Sequence, residues 1–177
     1  HLAPMYAYYS GNTAFSLNNI NYRQNQYSLD DSEKAVQGKQ VYYVSPFMKD
    51  AEFAFGHAGG RPFYGKYISD FESFRKLRCI VDGDVFNLDM EKDQHLKVYN
   101  PYDKDIDLNK LKFAVGYLNE YKLLQDIVPI EVEPTVQNIS VLKANDTTNF
   151  KFTLPPPIME NPGYFRVSIS ENDLHFG

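Results

Sequence analysis

Hydrophobic and polar residues alternate strictly along the second half of the chain. The clearest runs read LKFAVGYL, NISVL, NFKFTL and YFRVSIS, starting at residues 111, 138, 149 and 164. A period of two places successive side chains on opposite faces of a β-strand, so each run predicts a strand with one buried face and one solvent-exposed face. Turn residues separate the runs. From residue 91 to 177 the sequence therefore predicts an antiparallel β-sandwich.

Residues 1–90 show a different pattern, in which helical and extended segments alternate. The predicted elements are a helix at 2–10, a strand at 13–17, a polar loop, a helix at 28–39, a buried strand at 40–47, and extended runs at 65–68 and 74–81. Alternation of helix and strand is typical of α/β proteins. The chain as a whole is thus predicted to be α+β, with a partial, three-layer-like α/β segment over 1–90 and a boundary near residue 90.

The composition narrows the class of protein further. Aromatic residues make up 15% of the 177 residues, with 14 Tyr, 13 Phe and no Trp, which favours strands and an aromatic core. The net charge is −5 and no long basic run occurs, which argues against a nucleic-acid partner. The single cysteine, Cys79, lies beside Ile80 and Val81 and is interpreted as a small buried hydrophobe.

Residues that could carry catalysis or bind a metal are scattered along the chain. The four histidines are far apart and none has a Cys or His at ligand spacing, so no metal or cofactor site is predicted. Asp103, Asp105 and Asp107 have the spacing that begins a calcium loop, but the central Gly and the closing Glu are missing, so a solvated turn is expected. The glycine-rich run 56–60 lacks the remainder of a phosphate loop and predicts a turn.

Two carboxylates, Asp70 and Glu72, precede Arg75 and Arg78. Paired carboxylates in one cleft could perform acid–base chemistry in a soluble hydrolase. Surface charges that pair with neighbouring arginines are the more common arrangement, and this interpretation is preferred.

The polar segment SLNNINYRQNQYS, residues 16–28, combines amide, guanidinium and phenol groups. Asn and Gln offer donors and acceptors, Arg23 offers five donors, and tyrosine rings offer apolar faces. Such a set suits a sugar or a phosphate, and it also suits a long turn that satisfies its own backbone. Composition alone favours the turn. The predicted position, in a loop at the end of a sheet, is where α/β folds bind ligands.

Several segments resemble a known protein family. YAYYSGNTAFSLNN, followed by YRQNQYSL and then GKQVYYV, resembles the C-terminal soluble region of bacterial membrane glycosyltransferases related to dolichyl-phosphate-mannose protein mannosyltransferases and to the lipid A aminoarabinose transferase, particularly the Bacteroidetes versions. The runs RPFYGKYISDFESF (61–74) and PGYFRVSI (162–169) resemble parts of the same family's later β region.

The resemblance implies a non-catalytic periplasmic domain of an integral-membrane enzyme that transfers a sugar from a polyprenyl-phosphate carrier. Its partners would be the transmembrane part of the same polypeptide and a glycan or lipid-linked sugar. The family's catalytic acidic residue lies between early membrane helices, so no catalytic residue is predicted here. The predicted ligand contacts are Tyr22, Arg23, Asn25, Gln26, Tyr27, Arg61 and Tyr64. The alternative is a stand-alone cell-surface carbohydrate-binding or adhesion module.

Overall fold

A computed structural model of the chain describes residues 2–17, 31–46, 48, 50–56, 59–82, 93–158, 162–171 and 174. Contacts divide the chain into two compact units. The first comprises His1–Phe15 and Asp30–Ser73, and the second comprises Ser16–Leu29 and Phe74–Gly177. The boundary predicted near residue 90 lies outside the described residues.

In its described residues, the first unit contains one α-helix and three strands. Its elements are α1 (Leu2–Ser10), a 3₁₀ helix (Ser32–Ala35), β1 (Lys39–Ser45), β2 (Phe53–Phe55) and β3 (Phe63–Phe71). The strands form an antiparallel sheet in the order β1-β3-β2. The helix predicted at 2–10 is confirmed, as is the position of the strand predicted at 40–47.

Other details of the first unit differ from the prediction. The described strand pairs are antiparallel, whereas α/β layering requires parallel pairs. For the β2–β3 pair the physical reason is the short connection between these strands, residues 56–62, since a parallel crossover needs about a dozen residues or more. The strand predicted at 13–17 is wrong: these residues form no regular element, and Phe15 packs edge-on against Phe71 at 6.5 Å.

The helix predicted at 28–39 is reduced to one 3₁₀ turn in the described part of that range. The Gln37 side chain explains the early end, because its amide both donates to Ser73 O (2.6 Å) and accepts from Ser73 N (3.1 Å). The hydroxyl of Ser73 donates to the buried carboxylate of Glu33 at 3.2 Å. Gly38 then adopts a left-handed φ of 62° and donates to Phe71 O. These long-range bonds outweigh the local helical preference.

The second unit contains the remaining strands. These are β4 (Arg78–Asp82), β5 (Asp93–Tyr99), β6 (Ile106–Asp107), β7 (Leu111–Leu118), β8 (Leu124–Ile130), β9 (Glu133–Pro134), β10 (Val141–Leu142), β11 (Thr147–Thr153) and β12 (Tyr164–Glu171), with a 3₁₀ helix at Leu108–Lys110. They form sheets in the orders β4-β5-β11-β9 and β12-β7-β8, and a small pair β10-β6. The described strand pairs are antiparallel.

One shared hydrophobic core joins the two larger sheets of this unit. Phe113 of β7 contacts Phe150 of β11 at 6.0 Å, and Phe152 contacts Phe165 of β12 at 6.5 Å. These rings are almost fully buried, as the alternating sequence predicts. Two antiparallel sheets that share a core form a β-sandwich. The predicted α+β class, rich in antiparallel β-structure, is therefore confirmed.

A buried amide fixes one end of the sandwich. Asn100 is fully buried, and its Nδ2 contacts the carbonyl oxygens of Lys104, Leu142 and Lys143 at 2.9–3.2 Å. Its Oδ1 accepts from the backbone N–H of Tyr102 at 3.0 Å. One fully buried side chain thus contacts four backbone groups, which makes it a strong structural determinant.

Candidate functional site

The predicted ligand contacts divide into two groups in the structure. Tyr22, Arg23, Asn25, Gln26 and Tyr27 lie outside the described residues. Arg61 and Tyr64 are described. Arg61 is exposed in the connection between β2 and β3, and Tyr64 is half-buried on β3.

One face of the first sheet carries a cluster of aromatic side chains. Antiparallel register places Tyr42 of β1 opposite Tyr67 of β3, Phe53 of β2 opposite Gly65, and Phe55 opposite Phe63. Because side chains alternate along a strand, these positions share one face. We call the five rings the aromatic strip: Tyr42, Phe53, Phe55, Phe63 and Tyr67. Tyr64 belongs to the opposite face by the same alternation.

The rings of the aromatic strip contact one another in an unbroken series. The Tyr67 and Tyr42 centroids are 5.5 Å apart, and the Tyr42 and Phe53 centroids are 6.0 Å apart. Phe53 stacks with Phe55 at 6.1 Å and Phe55 stacks with Phe63 at 5.9 Å. These separations are those of favourable aromatic pairs. The rings therefore support one another in fixed positions.

The aromatic strip is open to solvent. Tyr42 is 71% exposed, Phe55 49% and Tyr67 39%. The other face of the same sheet is less exposed, since Ser45 is buried and Tyr64 opposite it is half-buried. A contiguous patch of exposed aromatic rings is uncommon on a soluble domain and marks an interaction surface.

The strip is electrically neutral along its length. From the Tyr42–Tyr67 pair to the Phe55–Phe63 pair, the described positions of this face include only aromatic residues, Val44 and Gly65. A carboxylate borders the tyrosine end of the strip, because Glu52 accepts a hydrogen bond from the backbone N–H of Tyr67 at 3.1 Å. On the other face by alternation, Lys66 pairs with Asp50 at 3.3 Å. A hydrogen bond from Lys66 holds the pKa of the Asp50 carboxyl below its usual value. The arrangement suits a ligand without net charge.

A concave surface lies in the second unit. A shallow cleft of about 270 Å³ between β9, β10 and β11 is lined by hydroxyl and amide side chains. Several of its polar groups already have intramolecular partners. The N–H and the hydroxyl of Thr135 both donate to Asn149 O, and Lys143 pairs with Asp105 at 2.7 Å. These polar groups are therefore already engaged within the fold.

The acidic turn at residues 103–107 is likewise built into the fold. Asp105 accepts from Lys143 Nζ and from Ala144 N, and the bond from Lys143 lowers the pKa of its carboxyl. Asp107 accepts from Asn109 N and caps the following 3₁₀ helix. Within the described residues, no group of three or more His, Cys, Asp or Glu side chains could hold a metal ion.

The remaining candidates show no arrangement for catalysis. Asp70 is exposed at the end of β3, and Glu72 is half-buried just after it. Cys79, predicted to be buried, is half-buried and packs against the core of the sandwich, and desolvation raises the pKa of its thiol to about 12. So high a pKa leaves almost no thiolate at neutral pH, and the thiolate is the form that reacts.

Two findings concern the wider context of the chain. No helix among the described residues has both the length and the apolar character needed to cross a membrane. No protein family, curated protein or solved structure compared with the chain matches it.

The aromatic strip was not among the residues predicted from the sequence. The segment 40–47 was interpreted as a strand buried on both faces, although Tyr42 and Val44 are exposed. The informative signal is the period of two in FAF (53–55) and in FYGKY (63–67). It places Phe53 and Phe55 on one side of their strand, and Phe63 and Tyr67 on one side of theirs. Only the pairing register brings these runs together.

Proposed function

We propose that this chain is a non-catalytic, periplasmic domain of a membrane glycosyltransferase that takes its sugar from a polyprenyl-phosphate carrier. In this proposal the aromatic strip holds a glycan close to the enzyme. The observation that carries the proposal is the exposed, neutral series of rings on the first sheet. The resemblance of residues 6–47 to the family's soluble region supports the enzyme context.

A glycan is the ligand class that suits the strip best. The C–H faces of a sugar ring are apolar and pack on aromatic rings, while its hydroxyls need hydrogen-bonding partners. The strip offers apolar rings throughout, and Tyr42 and Tyr67 add two phenol groups at one end. The Glu52 carboxylate beside Tyr67 favours neutral sugars over acidic ones, because like charges repel each other.

Glycan binding can be tested directly with the 177-residue chain. We expect isothermal titration with linear oligosaccharides of glucose and of mannose to detect binding that Tyr42→Ala weakens about fivefold to tenfold, because one stacking ring contributes roughly 1 kcal/mol. Tyr121→Ala is the matched control, since Tyr121 is 74% exposed and lies in the second unit. Equal losses in both variants, or no binding to any of these sugars, would contradict the proposal.

The enzyme context requires a separate experiment. In the membrane enzyme, Tyr42→Ala should lower the rate of sugar transfer to the acceptor while Tyr121→Ala leaves it unchanged. The predicted contact Arg23 can be examined in the same assay: Arg23→Ala should lower transfer without changing the melting temperature of the domain. A large fall in melting temperature would instead assign Arg23 a structural role.

The second candidate is a stand-alone cell-surface carbohydrate-binding or adhesion module. The exposed strip supports it equally, since it requires no enzyme. The coding sequence before His1 separates the two proposals. Several apolar runs of about 20 residues would support the transferase, and a single signal peptide would support the adhesion module.

A further inference from the structure

We infer that the aromatic strip binds several consecutive units of a linear glycan, and that Gly65 is the positioning residue that makes the strip continuous. The inference rests on the proposed glycan-binding function and adds the class of ligand, an oligosaccharide and not a single sugar. It also assigns a role to a residue that itself carries no ring.

Phe53 joins two otherwise separate pairs of rings. Tyr42 and Tyr67 form one pair, and Phe55 and Phe63 form the other. Among the described ring contacts, Phe53 alone touches a member of each pair, at 6.0 Å from Tyr42 and 6.1 Å from Phe55. Without Phe53 in this position, the strip would be two short patches.

Phe53 can reach Tyr42 only by lying across β3. In the order β1-β3-β2, Phe53 is on β2 and Tyr42 is on β1, so the intervening strand separates their backbones. The residue of β3 directly opposite Phe53 is Gly65. A Cβ at this position would lie 2.4 Å from both Cε2 and Cζ of Phe53, which is far inside van der Waals contact. Any side chain at residue 65 would therefore displace the ring.

A glycine is needed at residue 65 because a side chain has no room there, and not because of its backbone conformation. Gly65 does not adopt the left-handed φ that Gly11, Gly38 and Gly59 adopt. It lies in the middle of β3, where a glycine weakens a strand and often marks a close approach of other atoms. Here the approaching atoms are those of the Phe53 ring.

The continuous strip is longer than one sugar needs. Five rings follow one another with centroids 5.5–6.1 Å apart, from the tyrosine pair at one end to the phenylalanine pair at the other. One sugar ring covers about one aromatic ring, because the two have similar size. The strip therefore offers contacts to several units in succession.

The positioning role can be tested by a double-mutant cycle on stability. The melting temperatures of wild type, Gly65→Ala, Phe53→Ala and the double variant are compared. We expect Gly65→Ala to lower the melting temperature in the wild-type background and to have no such effect beside Phe53→Ala, where no ring is present to be displaced. The position of the new Cβ, 3.1 Å from Tyr43 O, is the same in both backgrounds, so that contact cancels. An equal effect in both backgrounds would overturn the role assigned to Gly65.

The ligand class can be tested by chain length. Isothermal titration of wild type with linear glucose and mannose oligosaccharides of one to six units should give affinity that rises with length, about tenfold or more from one unit to four. Gly65→Ala should keep the affinity for one or two units and lose most of the further gain. Equal affinity of wild type for one and six units would overturn the inference while leaving glycan binding intact. No binding of wild type to any length would overturn glycan binding itself.

Discussion

The sheet β1-β3-β2 and the sandwich sheet β12-β7-β8 both carry aromatic rings at pair distances near 6 Å, yet they use them differently. In the sandwich, Phe113 and Phe165 meet rings of the facing sheet and are buried. In the first sheet, Phe55 stacks on Phe63 with similar spacing while half of its surface stays in water. Ring pairing by itself therefore does not indicate a core. Exposure separates rings that hold the fold together from rings that remain available to a ligand.

The largest expected effect tests the buried half of this comparison. Phe150→Ala should lower the free energy of unfolding by about 3–5 kcal/mol, because it removes a fully buried ring and leaves a cavity. The matched variant Phe55→Ala should lower the free energy of unfolding by less than about 1 kcal/mol, since the Phe55 ring is half exposed. Urea unfolding of both variants measures the difference. Similar losses would show that the strip stabilises the fold as the core does.

A second prediction compares one side-chain amide from each unit, Asn100 and Gln37. Asn100→Ala should lower the free energy of unfolding by about 1–3 kcal/mol, because it leaves the buried carbonyl of Leu142 without its donor. Gln37→Ala should lower the free energy of unfolding by about 0.5–1.5 kcal/mol, because Gln37 is only half-buried and water can replace its bonds to Ser73. Denaturant titration checks the order, and a larger loss at Gln37 would contradict it.

A third effect concerns a buried phenol. The hydroxyl of Tyr117 donates to the carbonyl of Pro155, and burial, with a smaller contribution from Asp126, raises its pKa to about 12. The folded state thus favours the neutral phenol, whose pKa is about 10 when unfolded. The resulting stabilisation is complete below pH ~10 and is lost as the pH rises towards ~12. Unfolding curves at alkaline pH should show this loss in wild type and not in Tyr117→Phe.

The smallest effect is expected at Cys79, which is only half-buried but packs against the core. A thiol pKa of about 12 leaves about one thiolate in ten thousand molecules at pH 8, so a thiol reagent should label the native chain slowly. Addition of denaturant should restore the rate of a free cysteine. Rapid labelling of the native chain would show that β4 opens readily.

The sandwich could be predicted because its strands alternate without interruption. Phe150 and Phe152 alternate with polar neighbours, so local pattern and tertiary burial agree. Strand β8 escaped prediction because it contains Pro129, which cannot donate to a neighbouring strand and is normally confined to edges. In the order β12-β7-β8 this strand lies at an edge.

The first unit was harder to predict because distant contacts determine it. Hydrogen bonds join the 3₁₀ turn to Ser73, about forty residues away in sequence: Glu33 accepts from the Ser73 hydroxyl, and Gln37 donates to the Ser73 carbonyl. Strand β1 is apolar on both faces, which is typical of a buried parallel strand, although one face is exposed. The aromatic strip combines three separate runs through strand register, and periodicity within a single run does not specify register.

Gly65 gives the chain a trade-off that matters for engineering. Alanine is preferred to glycine inside a strand by about 0.5–1 kcal/mol, so a routine stabilisation strategy would choose this position for replacement. The substituted methyl group would meet Phe53 and divide the strip in two. Displacement of the Phe53 ring lowers stability, so a selection for heat resistance should reject Gly65→Ala. A choice based on strand propensity alone would accept the substitution and lose the ligand surface.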